Sequence, residues 1–242
     1  MEKKDNVFAG NIEKIVDFKF DEKVANVFED MLRRSIPGYG TIITVTGMFA
    51  EKYAQPQTNI YDLGTSLGAS ALAMQQRIKT EGCKIFAVDN SKAMIERAKR
   101  FIDNSKHRTP IELVLADVRN VNIHNASIVV LNLTLQFIKP SEREALIKKI
   151  YDGMVKNGIL ILTEKVTFSD TALNSRQSER YYDFKAFMGY SQLEISRKRD
   201  ALENVMILDS LETHYERLRK VGFRHFDKWF QVFNFISIIA QK

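Results

Sequence analysis

The chain is poor in the residues that build metal sites and staples. Cys83 is the one cysteine among 242 residues, so an internal disulfide is excluded. Such usage suits a reducing cytoplasm, the expected compartment, with Cys83 as a buried spectator. The four histidines, at 107, 124, 214 and 225, are scattered and none clusters with Cys83 at ligand spacing, so no metal is expected. No apolar run approaches the ~20 residues of a membrane span. The longest, around 128–135, is strand-sized, and the N-terminus shows no apolar signal-type stretch, so no membrane partner is expected. Eleven glycines and four prolines are spread without a linker, and no repeat or low-complexity tract appears. A chain of this length that is 45% hydrophobic suffices for one sizeable core, a single domain over 1–242. Its net charge of +6 is a mild bias. The basic residues are spread along helices, which reads as a solvated surface or as steering of an anionic small substrate or RNA.

The informative stretch is Asp62-Leu63-Gly64-Thr65-Ser66-Leu67-Gly68. A strand-like segment, 58–61, precedes it, and apolar residues at Leu67, Ala71, Met74 and Ile78 follow at helical spacing. Strand, glycine turn and helix let a ligand approach bare backbone. The next apolar run, 84–88, ends in Asp89, where a ribose-binding carboxylate is expected. A dinucleotide fingerprint is G-x-G-x-x-G, whose N–H groups meet a pyrophosphate. Here Ser66 takes the middle glycine's place and an acid opens the turn. That acid repels a pyrophosphate and suits a cofactor bearing an ammonium group, which favours S-adenosylmethionine over NAD or FAD. Taken alone, the turn is also compatible with a tight strand-to-helix joint.

From residue 56 strands and helices alternate: strand 58–63, helix 69–80, strand 84–89, a helix capped by Ser91, strand 111–116, and an apolar run over 127–134. Pro140-Ser141-Glu142-Arg143-Glu144 reads as a capping-box start to a helix that stops at Asn157-Gly158, before strand 159–164. Five strands in such alternation imply a parallel sheet. A helix over 209–221, closed by Gly222, leads to two apolar runs (223–230 and 232–240) too close to pair other than antiparallel. The expected fold is α/β: a doubly wound, mostly parallel seven-stranded sheet ending in an antiparallel hairpin, the class I methyltransferase-like Rossmann plan. Residues 1–55 form a helical addition, with one amphipathic helix carrying Val24, Val27, Phe28, Met31 and Leu32, a break at Pro37-Gly38, and a helix to about Tyr53. Residues 168–208 form a helical insert over the active site.

Ligands of open α/β sheets lie beyond the carboxyl ends of the strands. The residues there are Asp62 to Ser66, Asp89-Asn90, Asp117-Val118 and Asn132. Asp89 suits two ribose hydroxyls. Asp117 suits an adenine amino group, with the Val118 N–H donating to a ring nitrogen, and Asn132 points to the sulfonium. Singly, Asp89 and Asp117 also read as helix caps and Asn132 as a buried amide. Tyr39 reads equally as a lid residue or an aromatic plug. Ser196-Arg197-Lys198-Arg199 reads as solvated surface unless the insert covers the site. No plausible Ser/His/Asp or Cys/His set, no carboxylate pair at helical spacing in the site and no N/D-P-P-Y-type motif of amino-group methyltransferases is present.

Over nearly its whole length the chain resembles the carboxy-S-adenosyl-L-methionine synthase family. The pieces that carry this are Phe20-Asp21-Glu22-Lys23-Val24-Ala25, Arg34-Ser35-Ile36-Pro37-Gly38-Tyr39, Asp62-Leu63-Gly64, Val88-Asp89-Asn90-Ser91, Leu131-Asn132-Leu133-Thr134-Leu135-Gln136-Phe137, Leu202-Glu203-Asn204-Val205-Met206 and Phe230-Gln231-Val232-Phe233-Asn234-Phe235. Thr65 stands where the family often has Cys. The resemblance implies contacts to S-adenosyl-L-methionine, the substrate, at Tyr39, Gly64, Thr65, Ser66, Asp89, Asn90, Asp117, Val118 and Asn132. It implies that Arg199, the one catalytic candidate, meets the carboxylate of the product, carboxy-S-adenosyl-L-methionine. The implied co-substrate is the dicarboxylate prephenate, which leaves as phenylpyruvate. Hydroxide lost from prephenate takes the methyl proton, and the carbon dioxide released is captured by the resulting ylide, so no protein base is required. The implied context is 5-oxyacetic acid modification of the tRNA wobble uridine, with a functional link to the tRNA carboxymethyltransferase, a homodimer, and no direct nucleic acid needed. The prephenate carboxylates are open among Arg34, Arg176, Arg180, Arg197 and Arg199. The alternatives are a conventional S-adenosylmethionine-dependent methyltransferase acting on tRNA or a small molecule, and a catalytically silent cofactor-binding partner of the tRNA-modifying enzyme.

Overall fold

A computed structural model describes residues 4–10, 16–105 and 107–242. Three helices come first: α1 (Glu22–Ala25), α2 (Phe28–Ser35) and α3 (Tyr39–Tyr53). The sheet then builds through β1 (Asn59–Leu63), α4 (Ala69–Arg77), β2 (Lys84–Asp89), α5 (Lys92–Asp103), β3 (Ile111–Leu115), β4 (Ala126–Asn132), α6 (Pro140–Gly153) and β5 (Met154–Thr167). Two further helices, α7 (Thr171–Phe187) and α8 (Gln192–Leu202), precede β6 (Asp209–Ser210), α9 (Leu211–Val221), β7 (His225–Val232) and β8 (Phe235–Gln241).

Seven strands run in the order β3-β2-β1-β4-β5-β8-β7, and the two-residue β6 pairs with β5 off this path. Strands β1 to β5 are mutually parallel, and β8 is antiparallel to both β5 and β7. The expected plan is therefore present, with β6 as an unexpected eighth strand. The centre of the sheet is apolar on both faces, so β4 is buried along its length except at Asn132, whereas the edge strand β3 is half-exposed. Period-two alternation sends Tyr61, Leu63, Val129 and Leu131 to one face, against Leu146, Ile147 and Leu218. It sends Ile60, Ile128 and Val130 to the other, against Ala50, Ala71 and Met74. Cys83 is buried in that second layer, its thiol donating to the Gln55 carbonyl.

Four local expectations are corrected. The N-terminal amphipathic stretch is two helices, interrupted at Asn26–Val27. Helix α4 ends at Arg77, because Ile78 turns extended and buries its side chain in the core. Helix α6 stops at Gly153 rather than at Asn157-Gly158; there β5 is already running, and Asn157, at φ +63°, belongs to an irregularity where its pairing with β4 jumps from Met154 to Ile159. Nor does α6 begin with a capping box: Lys139 makes no side-chain cap bond and Pro140 opens the helix. The capping box found in the insert is that of Ser191 and Glu194, at the start of α8.

One buried cation joins the insert to the sheet. Arg143 on α6 is fully buried, donates to the carbonyls of Ile138 (2.9 Å), Gln136 (3.2 Å) and Ile207 (2.7 Å), and pairs with Asp209 at 2.7 Å. It thus fixes the end of the loop after β4 against the chain returning from α8. Arg143→Met leaves three carbonyls without their donor and Asp209 with Arg217 alone, at 2.7 Å, so a loss of about 2–3 kcal/mol is expected in urea unfolding. A loss below about 1 kcal/mol would mean the network is not holding these segments together.

Candidate active site

The strand order reverses between β1 and β4, and a cavity of about 640 Å³ opens at their carboxyl ends. Residues Tyr39, Gly64, Thr65, Ser66, Asp89, Asn90, Asp117, Val118, Asn132 and Arg199, all singled out from the sequence, line this one cavity.

The turn after β1 forms its floor. Gly64 has φ +84°, and a Cβ there would lie 2.3 Å from the Thr134 hydroxyl, so no side chain is tolerated. The Asp62 carboxylate is buried beneath the turn; its Oδ2 accepts from the Thr65 hydroxyl (2.6 Å) and the Ala71 N–H (3.1 Å). Asp62 does not line the cavity, so its expected role facing a ligand's ammonium group is corrected to one of bracing the turn. Burial pushes this carboxyl up to about 6 in spite of those two donors. The turn's own donors are spent inside the protein. Gly64 and Thr65 N–H both reach the Val88 carbonyl at 2.8 Å, Gly68 N–H reaches the Thr65 carbonyl, and Ser66 N–H reaches Asp89 Oδ2 at 2.9 Å. The N–H groups of Gly64, Thr65 and Ser66, which would cradle a phosphate, are thus already engaged.

The walls follow strand by strand. Asp89 accepts from Ser66 and, through Oδ1, from Ser91 N–H at 2.8 Å; burial raises its carboxyl, while each oxygen retains a further lone pair. Asp117 is gripped by Arg119, which holds its carboxyl low and itself pairs with Glu142 at 2.6 Å. Asn132 donates from Nδ2 to the Ser70 hydroxyl at 2.7 Å, and its buried Oδ1 has no partner. An acceptor left bare at the end of β4 calls for a donor or a positive group from a ligand. Phe18, Phe20, Phe28 and Phe137 add an aromatic wall, with Phe20 edge-on to Phe137 at 5.3 Å. Phe18 and Phe20 precede α1 in irregular chain, where no periodicity marks them.

The added helices close the other side. Tyr39 opens α3 after Gly38, whose φ of +74° lets the ring of Phe230 sit against it; burial raises the Tyr39 phenol. Arg199 is exposed at the cavity rim, bonded to Asp200 (3.1 Å) and Ser196 (3.3 Å) on its own helix. Three of the other candidate arginines have no place there, and one is a strut. Arg34 is buried, bonded to the Met188 carbonyl (2.8 Å) and Asp30 (3.2 Å). Arg197 donates to the carbonyls of Phe8 and Gly10, and Arg176 and Arg180 stand exposed on α7; none of the four lines the cavity. In their place stand Lys165, Lys185 and Lys198, none of them expected there from the sequence.

Residues 60–158 match the methyltransferase domain family. The chain is 52% identical over all its 242 residues to a protein of Salmonella paratyphi C named carboxy-S-adenosyl-L-methionine synthase, covering 98% of it. It is 54% identical over 98% of its length to the protein of that name from Vibrio parahaemolyticus, of which it covers 97%. Among solved structures, a putative S-adenosyl-L-methionine-dependent methyltransferase of Methanococcus maripaludis aligns over 96% of this chain and 97% of that one, with TM-score 0.59 and 21% identity. Human N-acetylserotonin methyltransferase aligns over 91% of this chain and 55% of that one, with TM-score 0.63 and 16% identity. These two likenesses establish the fold.

The buried carboxyl of Asp62 makes stability depend on pH. Its folded value, about 6, lies above the ordinary 3.8, so its contribution is fully present below pH 3.8 and is lost as pH rises through 6. Asp62→Asn keeps an acceptor for Thr65 and Ala71 without the charge. Relative to the wild type, its unfolding free energy in urea is expected to rise by about 3 kcal/mol between pH 4 and pH 7.5. A pH-independent difference would place the Asp62 carboxyl at its ordinary value.

Proposed function

The chain belongs to the carboxy-S-adenosyl-L-methionine synthase family, and from that membership we propose that it converts S-adenosyl-L-methionine and prephenate to carboxy-S-adenosyl-L-methionine and phenylpyruvate. The observation that carries this reading is the make-up of the cavity: two carboxylates and a bare amide oxygen at the strand ends, the Asp117 carboxylate paired there with Arg119, and further cations on β5, α7 and α8. The first end fits an adenosyl sulfonium compound. Asp89 has lone pairs left for two ribose hydroxyls, the Val118 side of the cavity with Phe18, Phe20 and Phe137 gives an apolar slot for a purine, and the spent N–H groups of the turn disfavour a pyrophosphate.

S-adenosyl-L-methionine supplies a sulfonium-activated methyl carbon. The chain's own residues then have three tasks. Asp89 and Asp117 orient the nucleoside, Asn132 Oδ1 faces the positive charge of the sulfonium, and Arg199 receives the newly attached carboxylate through its guanidinium fork. The aromatic wall and the helical insert keep water from the reacting carbon. No side chain is assigned as a base: the carboxylates at the strand ends, Asp89 and Asp117, are engaged by Ser66, Ser91 and Arg119, and proton removal falls to the hydroxide leaving prephenate. In this reading the protein works in a reducing cytoplasm as a homodimer, and its product is consumed by a carboxymethyl transfer to wobble uridine of tRNA.

Incubation of the protein with both substrates is expected to yield, by mass spectrometry, a nucleoside heavier than S-adenosyl-L-methionine by one carbon dioxide. S-adenosylhomocysteine together with a methylated acceptor would identify a conventional methyltransferase instead. Ligand binding without any prephenate turnover would identify a silent partner. In calorimetry, Arg199→Leu is expected to weaken carboxy-S-adenosyl-L-methionine by roughly tenfold to a hundredfold. It should change S-adenosyl-L-methionine by less than about fivefold, and equal losses would remove Arg199 from the carboxylate.

A further inference from the structure

The cationic end of the cavity contains more charge than the product carboxylate needs. Lys165 from β5, Lys185 from α7 and Lys198 from α8 converge on it beside Arg199. Lys198 is already matched: its ammonium lies 3.7 Å from Asp5 Oδ2 and donates to the Ser35 hydroxyl at 2.8 Å, and Asp5 is itself buried, with Tyr190 donating to it. Lys165 and Lys185 are not matched. Among the described residues neither ammonium group makes a hydrogen bond or an ion pair; both sit beside the ring of Tyr181, at 4.5 and 5.4 Å, and Lys185 also beside that of Tyr190 at 5.9 Å. Lys185 is 3% exposed, so water does not replace the missing counter-ion. Strand alternation keeps the neighbouring carboxylate away: Glu164 turns to the opposite side of β5, accepting the N–H groups of Leu135 and Gln136, while Lys165 faces the cavity.

We propose that Lys165 and Lys185 are the receptor for the two carboxylates of the co-substrate, with Asp5 withdrawing Lys198 from that role. The assignment rests on the synthase reading above and names residues that the arginine candidates left open. Two ammonium groups without a counter-ion facing one cavity match a small dianion in number and sign, and the ring of Tyr181, which lines the cavity with them, complements both the cations and an unsaturated ring.

The electrostatic surroundings make the site sensitive to pH. Burial lowers Lys165 to about 8; burial together with the charges of Lys198, Lys165 and Arg199 lowers Lys185 to about 7, and Asp5 opposes that shift. Around Lys198, Arg34 lowers and Asp30 raises its affinity for a proton. Glu203 faces the same cavity from the end of α8, and Asp89 and Asp117 face it from the strand ends. The receptor is thus cationic below pH 7 and is discharged as pH rises through the values of Lys185 and then Lys165.

The test uses the full chain loaded with S-adenosylhomocysteine, so that prephenate binding is read by calorimetry without turnover. Lys165→Met and Lys185→Met are each expected to weaken prephenate by roughly 30-fold or more at pH 6.5. The corresponding arginine variants should recover most of that loss. S-adenosyl-L-methionine affinity should stay within about fivefold in all four. Wild-type affinity for prephenate should fall between pH 6.5 and 8.5, and Lys185→Arg should flatten that fall, which a merely structural lysine would not do. Prephenate binding unchanged in the Met variants, or S-adenosyl-L-methionine lost in parallel with it, would overturn the assignment. A wild type that binds prephenate through these lysines yet forms no carboxylated product would refute the synthase reaction and leave the receptor standing. A wild type that does not bind prephenate at all would refute both.

Discussion

The carboxylate of Asp62, buried under its own turn, is the constraint on which the site depends. By holding Thr65 and Ala71 together it closes the chain between β1 and α4 into one shape. That shape needs left-handed backbone at Gly64, Ser66 and Gly68, and it brings Gly64 against Thr134 with no room for a side chain. It also aims the turn's N–H groups at Val88 and Asp89 rather than outward. A dinucleotide-binding turn leaves those donors free for a pyrophosphate. Here the same strand–turn–helix joint has used them to fasten β1 to β2, and the Asp89 carboxylate that takes one of them faces the cavity. Ligand selection at this end therefore follows from how the backbone satisfies itself, before any side chain contacts a ligand.

The opposite end has opposite chemistry because it comes from different parts of the chain. The nucleotide half of the cavity rests on β1, β2 and β4, elements that a methyltransferase-like sheet has in any case. The cationic half is assembled from α7, α8 and the last turns of β5, and it is tied back to the sheet through Arg143 and Asp209 and to the N-terminal segment through Asp5, Tyr190 and Arg34. Those ties are themselves buried polar networks, which cost stability when incomplete and restrict the packing to one arrangement when satisfied. An insert fixed in this way can hold unpaired ammonium groups in place, whereas a loose loop would swing them out to water.

Much of this was legible from the residues. Strands with two buried faces read as unbroken apolar runs, and a polar residue closing such a run, as Asp89 and Asn132 do, marks a carboxyl end where ligands gather. The hairpin β7–β8 showed in two apolar runs with almost no chain between them. Less legible was everything decided by tertiary contact. Gly153 rather than the stronger turn signal Asn157-Gly158 ends α6, because β5 begins pairing with β4 at Met154. Arg34 and Arg197 look like ligand-facing cations in a basic insert, yet each is taken up by backbone carbonyls across the fold. Lys165 was hidden for a simpler reason: a strand ended at Glu164 leaves the next residue unassigned, whereas one more step of alternation turns it toward the cavity. The Asp5 counter-ion, 193 positions from Lys198 in sequence, leaves no local trace at all.

The two halves also explain how such a site can act without a base of its own. A side-chain base would need a group free to take a proton near the bare oxygen of Asn132; the strand-end carboxylates Asp89 and Asp117 are engaged, and among the described residues no histidine lines the cavity. What the cavity supplies is a steep change of potential over a short distance. In the proposed reaction the co-substrate arrives as a dianion at the lysines and departs with one carboxylate fewer, so its hold on that end weakens as the reaction proceeds. The carboxylate it loses reappears on the sulfonium compound, within reach of Arg199. Negative charge thus moves from the buried lysines to the exposed arginine, and the same movement releases one product while retaining the other. Positioning and electrostatic preorganisation are then sufficient tasks for the protein, and both follow from where its charges are buried.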